Sequence, residues 1–243
     1  MSGYLDTLLF GIYPYVALAV LVVGSIVRYD REPYTWRSGS SQILRRGQLI
    51  AGSVLFHVGV LIVFFGHLVG LLTPIQVFEA LGIGHGFKQV MAIVVGGIAG
   101  AAALVGASLL AHRRLFDPRV RAQSSFSDNL VIVILWLQLA LGLLTIPVSV
   151  GHLDGAEMVK LMAWAQGIFT FAPAAASHVT GVHPIFKLHL FLGLTIFVMF
   201  PFTRLVHMLS VPIRYLWRPG YQVVRSRPAS RRTAGRRGST PIG

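Results

Sequence analysis

The sequence predicts an all-α polytopic membrane protein: five transmembrane helices, a periplasmic N-terminus and a cytoplasmic C-terminus. Three observations predict it. Only 12% of the 243 residues are charged, about half the share found in soluble domains, and the mean hydropathy is +0.70. Five apolar runs are long enough to cross a bilayer core, which takes about 20 residues. The Lys and Arg residues gather on alternate connections. The lack of cysteine excludes disulfides, thiolate metal sites and protein-ligated iron–sulfur clusters, so a redox centre must use other ligands.

The runs are Leu8–Val27, Leu49–Leu72, Val90–Leu110, Leu130–Val150 and Leu188–Leu209. The first follows a start with no basic region and with Asp6, and reads as a retained helix rather than a cleaved signal. Its Pro14 lies in the outer part, where proline costs little. The second contains His57 and His67. The third contains Gly96-x3-Gly100, a spacing that lets helices approach closely. The fourth has no formal charge, and the fifth carries Arg204 near its end, where the side chain can snorkel. Between the last two, Leu161–Ala176 is apolar but short, and holds Gly167 and Pro173. It predicts short helices at the interface or packed on the bundle, with a sixth span as the alternative.

Charge sets the orientation. Arg28, Arg31, Arg37, Arg45 and Arg46 follow the first run; Arg113, Arg114, Arg119 and Arg121 follow the third; the rest run from Arg204 to Arg237. Only Lys88, Lys160 and Lys187 fall on the other side. Short basic connections stay cytoplasmic. Residues 1–219 thus read as the membrane domain and 220–243 as a basic, disordered cytoplasmic tail resting on anionic lipid. This arrangement accounts for the net charge of +13 without nucleic acid.

Of nine histidines, four lie within spans: His57 and His67 in the second, His189 and His207 in the fifth. His85, His152, His178 and His183 fall in outer connections, and His112 ends the third span beside Arg113. A lone intramembrane histidine is as readily a hydrogen-bonded core residue as a ligand. Two on each of two antiparallel helices form an inner pair, His57 with His207, and an outer pair, His67 with His189. Imidazole is an axial ligand of haem iron, and bundle cores house haems. Two bis-histidine b haems, one towards each face, would use all four rings. The rises, about 15 Å between His57 and His67 and about 27 Å between His189 and His207, differ by about 12 Å, which tilt or crossing must absorb. Gly59, Gly66 and Gly193 flank the rings and would let a flat macrocycle approach. No H-E-x-x-H motif is present, and the span interiors hold no carboxylate for a proton relay.

Longer stretches carry a resemblance: IYPY at 12–15, RYD at 28–30, YTWR at 34–37, LFHVGVL at 55–61, GHLVGLLTP at 66–74, RRLFDPRVRA at 113–122, LGLLTIP at 141–147, HLDGAEMVKL at 152–161, FKLHL at 186–190 and FPFTRLVHMLSVP at 200–212. Together they resemble the gamma subunit, or cytochrome b subunit, of membrane-bound respiratory nitrate reductase. The resemblance covers about Ile12 to Tyr215 and leaves out the arginine-rich tail. It implies a five-helix fold in the inner (cytoplasmic) membrane holding two haem b groups, the inner on the positions matching His57 and His207, the outer on those matching His67 and His189. It implies a quinol, menaquinol or ubiquinol, oxidised at a site matching Lys88 beside Gly66 and His67. Electrons would pass through the outer and inner haems to an iron–sulfur beta subunit and a molybdopterin alpha subunit that reduces nitrate, with two protons released outside. Tyr29, Arg37, Arg113, Arg114 and Arg204 would meet haem propionates or partner subunits, if they do more than supply positive-inside charge. A dihaem cytochrome b of another quinone-linked reductase, of sulfur-cycle or heterodisulfide type, and a cofactor-free membrane anchor or transporter remain as alternatives.

Overall fold

The computed structural model describes residues 2–36 and 44–210, without the side chains of residues 2 and 33. Among the described residues there are helices and connections but no strand. In chain order they are α1 (Gly3–Arg31), α2 (Arg46–Leu72), α3 (Ile75–Ala80), α4 (His85–Phe116), α5 (Pro118–Ala122), α6 (Phe126–Val150), α7 (Ala156–Phe169) and α8 (Pro184–Met199). The helices α1, α2, α4, α6 and α8, the last extended by one 3₁₀ turn to Phe202, are long and apolar enough to cross a membrane. The expected five spans are therefore present. The tail from 220 lies outside the described residues.

The spans pack as an open chain: α2 on α4, α4 on α6, α6 on α8, and α8 on α1. The tightest of these joints is α2 with α4, where backbones meet. A Cβ built on Gly59 would lie within 3 Å of Ala99 and Ala103, and one on Gly106 within 3 Å of Phe56 and Gly52. The Gly96-x3-Gly100 pattern does not make this joint. Gly96 faces open space, and Gly100 meets Leu143 of α6. Gly59 likewise serves helix packing rather than a ring. By contrast, α2 and α8 form no extensive backbone contact, which leaves a gap between the helix that carries His57 and His67 and the one that carries His189.

After its first α-helical turn the first span passes through a π-helical turn, Leu8–Ile12. Pro14 has no N–H to offer the carbonyl of Phe10 four residues earlier. The indole of Trp164 on α7 donates to that carbonyl instead, at 2.8 Å. This bond locks α7 onto the bundle. Trp164, Ala165 and Ile168 share a buried core with Phe10 and Ala17 of α1 and with Ala175, Val179 and Val182. At 14 residues, α7 spans about 21 Å, too short for a bilayer core, so the 161–176 segment packs on the bundle.

The fifth span differs from expectation. The run to Leu209 is not one helix, because Pro201 has no N–H for the carbonyl of Phe197. The α-helix ends at Met199, Thr203 is extended (φ −125°, ψ 178°), and a separate 3₁₀ turn covers Arg204–Leu209. Arg28 of α1 fastens this break: its Nη1 donates to the carbonyls of Pro201 and Thr203, both at 2.7 Å.

Candidate functional site

The break in the fifth span removes the expected mismatch in rise. His207 is not on the axis of α8, so the 27 Å expected for a straight helix does not apply. The structure brings the four span histidines together in two pairs. The His57 and His207 rings are 6.4 Å apart between centroids, and those of His67 and His189 are 6.1 Å apart.

Three of the four rings are held alike. Nδ1 of His57 donates to the Ser53 carbonyl at 2.7 Å, Nδ1 of His67 to that of Val63 at 2.8 Å, and Nδ1 of His207 to that of Arg204 at 2.5 Å. A proton fixed on Nδ1 leaves Nε2 with a free lone pair, the state in which histidine binds metal. Two such nitrogens on either side of one metal, about 2 Å each from it, put the ring centroids about 6 Å apart. Both observed separations match.

Among the described residues no three His, Asp or Glu side chains gather as a metal-binding group. A metal between either pair would thus take two protein ligands and its remaining ligands from elsewhere, as a porphyrin supplies them. The gap between α2 and α8 would give such a macrocycle its place. On α2, Leu55, Val58, Leu61, Phe65 and Leu68 are exposed within the chain, an apolar lining for either lipid or porphyrin. The residues present fit the group.

At the His67 end, Lys88 is 4% exposed. Its Nζ donates to the Gly70 carbonyl and to Met162 Sδ, and lies 3.9 Å from the centre of the Phe78 ring. No carboxylate pairs with it among the described residues. The Lys88 ammonium therefore reaches α2 one turn beyond Gly66, whose missing Cβ faces open space. Sequence reasoning named Lys88, Gly66 and His67 but missed Gly70, Met162 and Phe78. Gly70 had a signal, being one turn from Gly66; the other two had none, since apolar residues abound.

At the opposite end, the named arginines have partners within the chain. Arg204 Nε donates to Asp128 at 2.6 Å, and Arg114 pairs with the same carboxylate at 3.3 Å. Buried Arg113 donates to the Leu44 carbonyl at 2.7 Å. Tyr29 is exposed and meets Trp36 edge-on. Arg37 lies outside the described residues. Asp117, between α4 and α5, is desolvated, which alone would raise its pKa. The N–H groups of Val120 and Arg119 and the nearby Arg45 outweigh this and hold it below the usual carboxylate range.

Comparison with known proteins agrees with these features. The family model described as nitrate reductase gamma subunit matches residues 6–227. The chain is 50% identical to the respiratory nitrate reductase 1 gamma chain of Escherichia coli, over 92% of this chain and 99% of that one. It is 48% identical to the respiratory nitrate reductase 2 gamma chain of the same organism, over 93% of this chain and all of that one. It is 39% identical to the nitrate reductase gamma chain of Bacillus subtilis, again over 93% and the whole of the relative. With five apolar spans, it is a multi-pass protein of the inner membrane. The chain belongs to the nitrate reductase gamma subunit family, the cytochrome b-type membrane subunit of that oxidoreductase complex.

Proposed function

We propose that the chain oxidises quinol at its Lys88 end and carries the electrons across the membrane to an iron–sulfur beta subunit and a molybdopterin alpha subunit that reduces nitrate. The observation that carries this is the pair of facing imidazole couples, His67 with His189 on α8 and His57 with His207 on the turn that follows the Pro201 break. These four histidines would hold two haem b groups, which when bound would supply one-electron transfer.

The rest is done by the chain's own residues. The carbonyls of Ser53, Val63 and Arg204 keep three ring protons on Nδ1 and so keep Nε2 available. Lys88 offers an N–H to a quinol oxygen in place of Met162 Sδ, and Gly66 leaves room for the ring beside His67. Oxidation of one quinol releases two electrons and two protons, and the protons leave on the Lys88 side. The Arg-rich end faces the cytoplasm by the positive-inside rule, where Asp128, Arg114 and Arg204 brace the segment that carries His207. Menaquinol and ubiquinol both fit this chemistry.

The test is the purified complex. Pyridine extraction should give two b haems per chain, and anaerobic quinol should reduce both, with molybdenum and iron–sulfur subunits co-purifying. A colourless chain, or haem that quinol leaves oxidised, overturns the reading.

A further inference from the structure

The two facing pairs stand on unlike scaffolds. His189 belongs to the long helix α8, whereas His207 sits on the short 3₁₀ turn beyond the break at Pro201. The Nδ1 bond of His207 goes to the carbonyl of Arg204, which lies in that same turn. It fixes the ring on the turn but not the turn in the bundle. The turn needs a hold from outside.

That hold comes from α1, which carries none of the four histidines. Two of its residues, one turn apart, meet the break. Gly24 receives the proline ring: a Cβ there would lie 2.7 Å from Pro201 Cγ and 2.9 Å from Pro201 Cβ, and Pro201 is fully buried. Arg28 donates from Nη1 to the carbonyls of Pro201 and Thr203. In an unbroken helix the Pro201 carbonyl would accept from the Leu205 N–H. Here that N–H turns to Thr203 Oγ1, and Arg28 supplies the donor instead. On its other side the guanidinium meets Thr35, donating from Nη2 to the carbonyl at 3.2 Å and from Nε to the hydroxyl at 3.4 Å. Among the described residues no carboxylate pairs with Arg28. Orientation in the membrane asks for positive charge on this connection but for none of these contacts. Carbonyls at a helix break do ask for donors.

We propose that Gly24 and Arg28 form a socket that positions His207, which makes α1 a positioning element of the inner haem site. The path is short. The Thr203 carbonyl belongs to the peptide unit that enters Arg204, and the Arg204 carbonyl accepts from His207 Nδ1. Asp128 of α6 holds the Arg204 side chain at 2.6 Å. The turn is thus gripped by α1 at its backbone and by α6 at its side chain. Partners that orient a metal ligand matter for binding, and losing one costs about 10–100-fold in affinity.

This assignment rests on the proposed function, and the test separates the two. The complex would be purified as wild type, Arg28→Met, Arg28→Lys and Gly24→Ala. Two quantities are read: haem content after dithionite reduction, and the low-spin ferric resonance of each haem, which reports how its two imidazole planes are set. Neither needs quinol or nitrate turnover, and His57→Ala shows which signal is the inner one. In Arg28→Met, affinity for the inner haem should fall about 10–100-fold, seen as loss of haem to apomyoglobin, and what remains should give a shifted resonance. Lysine keeps N–H donors for the two carbonyls, so Arg28→Lys should restore the inner haem. Gly24→Ala drives a methyl against the rigid proline ring and should shift the same resonance. The His67–His189 haem should keep its content and its resonance throughout, which also reports that each variant is folded. If Arg28→Met does not accumulate, Gly24→Ala decides by the same comparison. An inner haem unchanged in these variants overturns the socket, as does equal disturbance of both haems. A wild type without haem overturns the function beneath it as well.

Discussion

A histidine in an apolar helix becomes informative through what its second nitrogen does. Ser53, Val63 and Arg204 each accept an Nδ1 proton through their backbone carbonyls, which needs no particular side chain and so leaves no mark in sequence. The four histidines themselves were legible because polar rings stand out in runs such as LFHVGVLIVFFGHLVG, and their pairing followed from two antiparallel helices. Two predictions belong at this scale. His57→Ala should remove one b haem and leave the outer one; His67→Ala should do the reverse, as read by the split of the reduced absorption band. Loss of neither haem, or of both from each variant, would contradict separate sites. Lys88→Met keeps the side chain's length and removes the donor. It should cut quinol-dependent haem reduction at least tenfold, about 1.4 kcal/mol, while haem content stays at wild type. Normal turnover in that variant would exclude Lys88 from the quinol site.

The elements were legible in their number and poorly legible in their joints. Length and hydropathy revealed five spans because water is excluded from both faces. The same uniformity hid the helix break at Pro201 and the true glycine joint, since neither changes average hydropathy. The joint makes a paired prediction. Gly106→Ala puts a methyl within 3 Å of Phe56 and Gly52 backbone atoms, so α2 and α4 must part, a cost of about 1–3 kcal/mol as for overpacked cores. Gly96→Ala meets nothing within 4 Å and gains helix propensity of about 0.5–1 kcal/mol. Thermal unfolding in detergent should therefore move down for Gly106→Ala and level or up for Gly96→Ala; the opposite order would misplace the joint. Asp117 adds a pH dependence. Its carboxyl is held below the usual range, so its contribution is fully present above the unfolded value and is lost as pH falls through the folded one. Asp117→Asn keeps an acceptor for the Arg119 and Val120 N–H groups but should flatten stability against pH in the acid range. An unchanged profile would assign the acid lability to other carboxylates.

At the scale of the whole molecule, the two ends of the bundle differ in chemistry, and by the positive-inside rule that difference bears on which way the chain sits in the membrane. Arg28, Arg45, Arg113, Arg114 and Arg204 gather at the His207 end, while Lys88, Lys160 and Lys187 lie at the His189 end. The charge rule puts the arginine end in the cytoplasm, where short basic loops are retained during insertion. Under the proposed function the Lys88 end then lies in the periplasmic half, so that quinol oxidised there would release its protons outside while electrons move inwards. The reverse orientation would collapse rather than build the membrane potential with the same residues. The sequence has no cysteine, so a single introduced thiol reports its side without background. His178 and Gln123 are exposed at opposite ends. A membrane-impermeant maleimide applied to intact cells should label His178→Cys and leave Gln123→Cys unlabelled. Permeabilising the inner membrane should expose Gln123→Cys in cells that express the chain without its soluble partners. Labelling of Gln123→Cys in intact cells, with His178→Cys protected, would reverse the topology and with it the proposed direction of proton release.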